Sequence, residues 1–525
     1  MDELSGEEID LRIARSHWNV DGKRGHATTI NGTIPGPLIR LREGQTVRLS
    51  VANDLDEDTS IHWHGLILPF QFDGVPGVSF PGIRPRETFV YEFPVRQSGT
   101  YWYHSHSGLQ EQEGHYGPII IEPAGEDPVR FDREYVVVLS DYSFTHAHTI
   151  YQRLKQQAGV FNFQRQTIAG LLEGRDQSFS DRREWAAMRM DPADISDVTG
   201  SIYEFLINGH GPQDNWTALF RPGERVRLRF INAAAMTIFN VRIPGLEMEV
   251  VAADGQDVRP VSVDEFQISI AETYDVIVQP REDRAYTLVA ETVDRSGMGR
   301  ATLAPRAGMT AEVPARRSRP LANMRDMGMD MSGMAMGGMD MSMRNQENAP
   351  QVVLGPGVQM ISPMPVDRMG DRGQGLRDVD HRVLVYTDLE SLAPNPDLRT
   401  PSRSLELHLT GNMERFMWSF DGKMFSEATE PIPFRLGERV RVTLVNDTMM
   451  SHPIHLHGHF FELLTGSPGF HPRKHTVNVL PGGSATFDLT ADAPGDWAFH
   501  CHMLYHMHAG MFRVVSVRPL QADHG

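Results

Sequence analysis

Gly437-Glu-Arg-Val440-Arg-Val-Thr-Leu444-Val-Asn446 alternates apolar with polar residues at period two between a glycine and an asparagine, the pattern of a half-buried strand. The pattern occurs twice more, from Gly44 to Asn53 and from Gly223 to Asn232. An Asn-Gly or Asp-Gly pair precedes each copy, at Asn31-Gly32, Asn208-Gly209 and Asp421-Gly422. Three copies of one β-domain are predicted. The first and third match further: Ile61-His62-Trp-His64-Gly65 answers Ile454-His455-Leu-His457-Gly458, and Gly99-Thr-Tyr-Trp-Tyr-His104-Ser-His106 answers Gly495-Asp-Trp-Ala-Phe-His500-Cys501-His502. The middle copy lacks these histidines and reads as a spacer. Many short strands with Gly and Pro turns at regular intervals indicate an all-β chain of sandwich domains.

Outward from the repeats, Glu122-Pro-Ala-Gly-Glu-Asp-Pro and Ala304-Pro-Arg-Ala-Gly interrupt the strand pattern and place boundaries near residues 125 and 305. The expected units are 1–125, 126–305, a Met-rich irregular linker at 306–378, and 379–525. Residues 150–190 form an insert in the second unit, with helices expected at 150–157 and 182–190. The linker is Pro-, Gly-, Arg- and Met-rich without periodicity and is expected to be a long, partly disordered connection.

At 525 residues the chain suits about three domains. Its net charge of −18 and the absence of a Lys/Arg block exclude nucleic acid as a partner and favour attraction of cations. No apolar run approaches the ~20 residues of a spanning helix, so no membrane span is expected. The N-terminal residues have neither the basic nor the apolar segment of a signal peptide. The single cysteine, Cys501, forms no intrachain disulfide.

Chemistry concentrates in four strings: His62-Trp-His64, His104-Ser-His106, His452-Pro-Ile-His455-Leu-His457 and His500-Cys501-His502-Met-Leu-Tyr-His506. Two His, one Cys and a weak axial Met hold an electron-transfer copper, and Met511 follows at the right place. On a strand, His500 and His502 face one side and Cys501 the other, so one short covalent path joins two sites. Ser105 stands where the third copy has Cys501, and a hydroxyl supplies no soft thiolate.

These strings resemble the multicopper oxidases over nearly the whole chain. The resemblance implies three cupredoxin-like Greek-key domains and four copper ions. Type 1 copper would take His452, Cys501, His506 and Met511. Type 2 would take His62 and His455. The type 3 pair would take His64, His104, His106, His457, His500 and His502, with the cluster between the first and third domains. Asp73, eleven residues after His62, matches the position where the family places a carboxylate beside the type 2 copper, and is expected to relay protons during dioxygen reduction. A second family carboxylate after the last type 1 histidine is replaced here by Met507. Glu111 and Glu113 are weaker substitutes.

Thioethers select soft monovalent copper. Between residues 324 and 343 nine of twenty residues are methionines: Met324, Met327, Met329, Met331, Met334, Met336, Met339, Met341 and Met343. Gly, Asp and Ser between them fit neither a core nor an amphipathic helix. With Met188-Arg-Met-Asp, Met413, Met417, Met449 and Met450, this tract resembles the bacterial copper-resistance oxidases of the CopA or PcoA kind. That likeness implies oxidation of Cu(I) to Cu(II) with dioxygen as acceptor. It also implies additional Cu(I) on methionines, Met450 and Asp447 helping to receive it, copper-transfer proteins as partners, and a periplasmic location reached by a twin-arginine signal absent from this chain. The alternatives are a laccase acting on phenols or aromatic amines and a copper carrier or storage protein.

Overall fold

The computed structural model of the chain describes residues 1–162, 164–174, 176–188, 190–329 and 343–519. The three Asx-Gly pairs are two-residue turns, in which Asn31, Asn208 and Asp421 take φ of 52°, 52° and 50° and the following glycines 84°, 77° and 76°. Two successive left-handed residues suit this turn, which is why Asn or Asp and then Gly stand there. Bridges Ile30 to Thr33, Ile207 to His210 and Phe420 to Lys423 close the turns.

The asparagines that end the three strands are equally consistent. Asn53, Asn232 and Asn446 are buried. Each donates its amide to two backbone carbonyls, and each accepts the N–H two residues on, so the side chain fixes the loop that leaves the strand. In the outer repeats that loop leads to His62 and His452.

Every repeat is a sandwich of two sheets. In the first, Glu3–Ser5, Leu38–Arg42, Tyr116–Glu122, Gly99–His104 and His62–His64 form one sheet, and Lys23–Ile30, Glu8–Val20, Thr46–Asn53 and Thr88–Pro94 the other. In the third, the functional sheet runs Ile432–Arg435, Phe512–Arg518, Gly495–Cys501, His452–Leu456 and Thr476–Val479. In all three repeats the Val-Arg strand lies between a parallel neighbour and an antiparallel one, the non-sequential order of Greek-key connections.

The middle copy departs from the half-buried expectation: Val226–Asn232 is buried along its whole length. Its polar face lies against the first repeat. There Arg227 pairs with Asp275 at 2.6 Å and Asp127 at 2.8 Å, and Arg229 reaches Asp275 at 2.9 Å and Thr100 at 3.0 Å. Buried charge of this kind persists only when paired. The spacer is therefore bonded to its neighbour.

The insert carries helices Ala147–Gln156, Ile168–Leu172 and Phe179–Ala187. The described part of the linker is irregular but packed, which the sequence pattern did not indicate. Val366–Asp367 adds in parallel to Gly483–Thr490, Met327, Met360 and Ile361 are buried, and Arg368 meets Asp326 at 2.9 Å with both side chains buried. Ion pairs and thioethers, which carry no periodicity, hold it down. No described helix is long and apolar enough to cross a membrane.

Candidate metal centre

Strand register brings the histidines together. His62 stands opposite His104 in the first repeat, and His455 stands opposite His500 in the third. All eight histidines of the four His-x-His pairs meet between these repeats. The rings of His64, His104 and His502 have centroids 5.5, 5.0 and 4.9 Å apart. Those of His106, His457 and His500 are 5.0, 5.1 and 5.2 Å apart. His62 and His455 are 5.9 Å apart.

Hydrogen bonds set which nitrogen each ring offers. The Nδ1 of His62 donates to the Asp73 carbonyl at 2.7 Å, that of His455 to the His475 carbonyl at 2.7 Å and that of His500 to the Cys501 carbonyl at 3.0 Å. The Nδ1 of His457 meets Asp73 Oδ2 at 2.9 Å, and that of His104 donates to the Ser105 carbonyl at 3.1 Å with Glu111 Oε2 2.8 Å away. Carbonyl and carboxylate oxygens only accept, so the proton sits on Nδ1 and the lone pair on Nε2. The Nε2 atoms of His62, His106, His455 and His502 are buried without a partner, and those of His457 and His500 face each other at 3.0 Å. His64 is the exception, turning Nδ1 toward His104 Nε2 at 3.4 Å. Converging imidazole lone pairs in a buried space are a metal-binding donor set, and copper suits it.

The second site lies on the other side of the Gly495–Cys501 strand. Cys501 Sγ is 3.6 Å from His452 Nδ1 and 3.9 Å from His506 Nδ1, and the two nitrogens are 3.3 Å apart. Here it is Nε2 that is engaged, with Thr448 Oγ1 at 2.8 Å and Asp197 Oδ2 at 2.6 Å. Those partners turn Nδ1 of both rings to the sulfur. Met511 is fully buried, and its backbone bonds both Cys501 and His506 at 3.1 and 3.0 Å. Trp418 stacks on His506 at 3.8 Å. Burial holds His452 well below the usual histidine range and His506 at about 3, and it pushes the Cys501 thiol up.

Of the carboxylates, Asp73 is buried between His62 and His457 from opposite repeats. Glu111 is buried beside His104, whereas Glu113 faces Thr28 and His146. Asp447, expected to assist Cu(I), is instead bonded to His408 at 2.7 Å and to the Ser362 N–H at 2.8 Å, where it pins the linker. Two neighbours escaped the sequence reading. His475 is buried at 4.8 Å from the His64 ring and 5.3 Å from that of His455, and Asp197 bonds His506. A lone histidine and a lone aspartate carry no spacing signal.

The methionines gather into one cluster with Trp185 and Ile195. Met327, Met360 and Met449 are buried in it, and Met188, Met190, Met324, Met329, Met343 and Met413 pack against it. Met450 packs in the main core instead, and Met417 lies in the strand Met417–Phe420. Met331, Met334, Met336, Met339 and Met341 lie outside the described residues.

Sequence models of the multicopper oxidases match residues 12–126, 133–312 and 398–521. The chain belongs to the multicopper oxidase family. It is a copper oxidoreductase with dioxygen as acceptor. It is 49% identical to copper resistance protein A of Escherichia coli, covering 98% of this chain and 93% of that protein, and 49% identical over the same shares to a copper resistance protein A homolog of Pseudomonas syringae pv. tomato. It is 32% identical to the multicopper oxidase MmcO of Mycobacterium tuberculosis, over 97% of this chain and 86% of that one. Among solved structures, Fet3p, a multicopper oxidase that functions in iron import, superposes with a TM-score of 0.70 at 20% identity over 98% of this chain and 90% of that chain.

Proposed function

We propose that this multicopper oxidase removes an electron from Cu(I) and so protects the periplasm from copper. The relatives named for copper resistance support that reading. In it the residues hold four coppers. His452, Cys501, His506 and Met511 hold the type 1 ion, and His62 and His455 the type 2 ion. His64, His104 and His502 hold one type 3 ion, and His106, His457 and His500 the other. The coppers supply one-electron acceptance at the thiolate site and four-electron reduction of dioxygen at the cluster. The chain supplies the rest. The backbone between Cys501 and its flanking histidines links the two sites, and Asp73 holds His62 and His457 and stands where protons are delivered.

The observation that carries the substrate is the thioether cluster. Met449 is three residues before His452, and Ile195 of the same cluster is two residues before Asp197, which bonds His506 at 2.6 Å. Soft sulfur thus lies three residues from a thiolate-site histidine, in a cluster whose Ile195 adjoins the segment that carries Asp197. His452 and His506 are both fully buried, so no imidazole edge is open to a phenol. Dioxygen uptake by copper-loaded protein with Cu(I), compared with uptake with a phenol, tests this. Faster turnover of Cu(I) is expected, and uptake with the phenol alone would make the chain a laccase.

A further inference from the structure

The helix Leu504–His508 after the Cys501 strand has no acidic residue, and Met507 on it is only half-buried. A carboxylate nevertheless reaches the second face of the histidine cluster, from the first repeat. Glu111 sits in the short 3-10 turn Gln110–Glu113, just past His106. Its neighbours in sequence fix it. Gln110 accepts from Thr59 at 2.7 Å and from Ser105 at 3.0 Å and donates to the Asp58 carbonyl at 2.9 Å. Gln112 on the other side donates to Asp141 at 3.2 Å and accepts from the Tyr203 and Tyr505 hydroxyls. Gly114 ends the turn at φ 110°, and a Cβ there would lie 2.3 Å from Ile34 Cδ1. The turn has little freedom to shift.

Held this way, Glu111 is 2% exposed and spans two repeats. Oε2 lies 2.8 Å from His104 Nδ1, which also donates to the Ser105 carbonyl at 3.1 Å, and Oε1, which has no hydrogen-bond partner, lies 3.9 Å from His502 Nδ1. His104 comes from the first repeat and His502 from the third. Asp73 has the same relation to a different pair, meeting His62 at 3.3 Å and His457 at 2.9 Å, again one from each repeat. The cluster is thus flanked twice by one carboxylate of the first repeat, each lying within 2.8 to 3.9 Å of the Nδ1 edges of one imidazole from the first repeat and one from the third.

We propose that Glu111 is a positioning residue for the metal held by His64, His104 and His502, orienting His104 and His502 across the domain interface as Asp73 orients His62 and His457. A carboxylate beside Nδ1 favours the tautomer that leaves Nε2 free, and one buried residue lying against both rings restrains their relative angle. The inference rests on the copper assignment proposed above.

The test compares Glu111→Ala and Glu111→Gln with the unaltered protein, after metal removal and reloading. Copper per chain, the competition of each copper against a chelator, and the EPR-visible share of the bound copper are read. Glu111→Ala should weaken one copper by about 10- to 100-fold and raise the EPR-visible share, because a disturbed pair loses its magnetic coupling. The blue colour, which depends on Cys501, should stay and shows that the fold is intact. Glu111→Gln should lie within a few-fold of the unaltered protein, because the amide keeps the size of the side chain and an oxygen beside His104 Nδ1. Unchanged copper affinity in Glu111→Ala, or an equal loss in Glu111→Gln, would overturn the positioning role. Unaltered protein that takes up no copper on these histidines would overturn the copper assignment itself.

Discussion

Copper uptake at the thiolate site should depend on pH through the proton on Cys501. Burial raises the Cys501 thiol above its ordinary range, while it holds His452 well below its own and His506 at about 3. Between about pH 6 and 8 the three ligand side chains of the metal-free site therefore carry one removable proton, on sulfur, while burial raises Asp197, against His506 Nε2, to about 8. Copper binds the thiolate, so each ion taken up must displace that proton. The sign follows: below the raised thiol pKa, affinity strengthens as pH rises, by tenfold per unit. One unit corresponds to about 1.4 kcal/mol, so the span from about pH 6 to 8 is worth a hundredfold, or about 2.7 kcal/mol. His64, His104, His457 and His500 of the cluster contribute no slope in that window, because the first three are held well below the usual range, and His500 is near 4, chiefly by burial. The assay is titration of metal-free protein with Cu(II) against a chelator corrected for its own protonation, followed by the blue thiolate absorption. Cys501→Ala serves as the reference and should show neither colour nor slope. A flat profile would mean that the thiol is already ionised in the fold and refutes the reasoning; in Asp197→Asn, which removes the other group titrating in this window, the tenfold slope should survive.

Asp73→Asn keeps an acceptor for His457 Nδ1 and removes a proton-accepting group, so copper content and colour should persist while re-oxidation of the fully reduced protein slows about 100-fold or more; re-oxidation at the unaltered rate across pH would leave Asp73 a purely structural partner. Replacing Met188, Met190, Met413 and Met449 together by Leu nearly conserves volume, and should raise the KM for Cu(I) about tenfold while leaving phenol oxidation unchanged in dioxygen uptake. Equal losses for both substrates would remove the thioethers from substrate delivery. Lys474, fully buried, is 3.0 Å from Asp254 and 3.1 Å from Glu272, so Lys474→Met should strand two carboxylates and cost about 3–5 kcal/mol in denaturant unfolding, a value that a merely apolar contact would not reach.

The fold and the histidine cluster were legible because their signals are local. Period-two alternation, an Asx-Gly turn and a closing asparagine fit into about twenty residues, and the His-x-His spacing puts both rings on one strand face. His62 then meets His104 through ordinary ladder register. What escaped depends on pieces far apart in the chain. Asp197 lies 309 residues from His506, and nothing near either announces the bond. The sequence reads as an insert at 150–190 and a long irregular linker at 306–378, yet Met188, Met190 and Met360 fold back with Met449 into one cluster. Thioether packing has no period, so composition showed the methionines but not their meeting place. Glu111 was visible as an acidic residue after His106, but its reach to His502 in another repeat was not.

Half of the cluster comes from residues 62–106 and half from residues 455–502. A ribosome releases the first four imidazoles more than three hundred residues before the others exist. Copper captured that early would meet a half-built cage with no opposite wall and would have to be surrendered before the ends could dock. Completion of the cluster therefore waits for residues 455–502 and for the docking of the third repeat against the first.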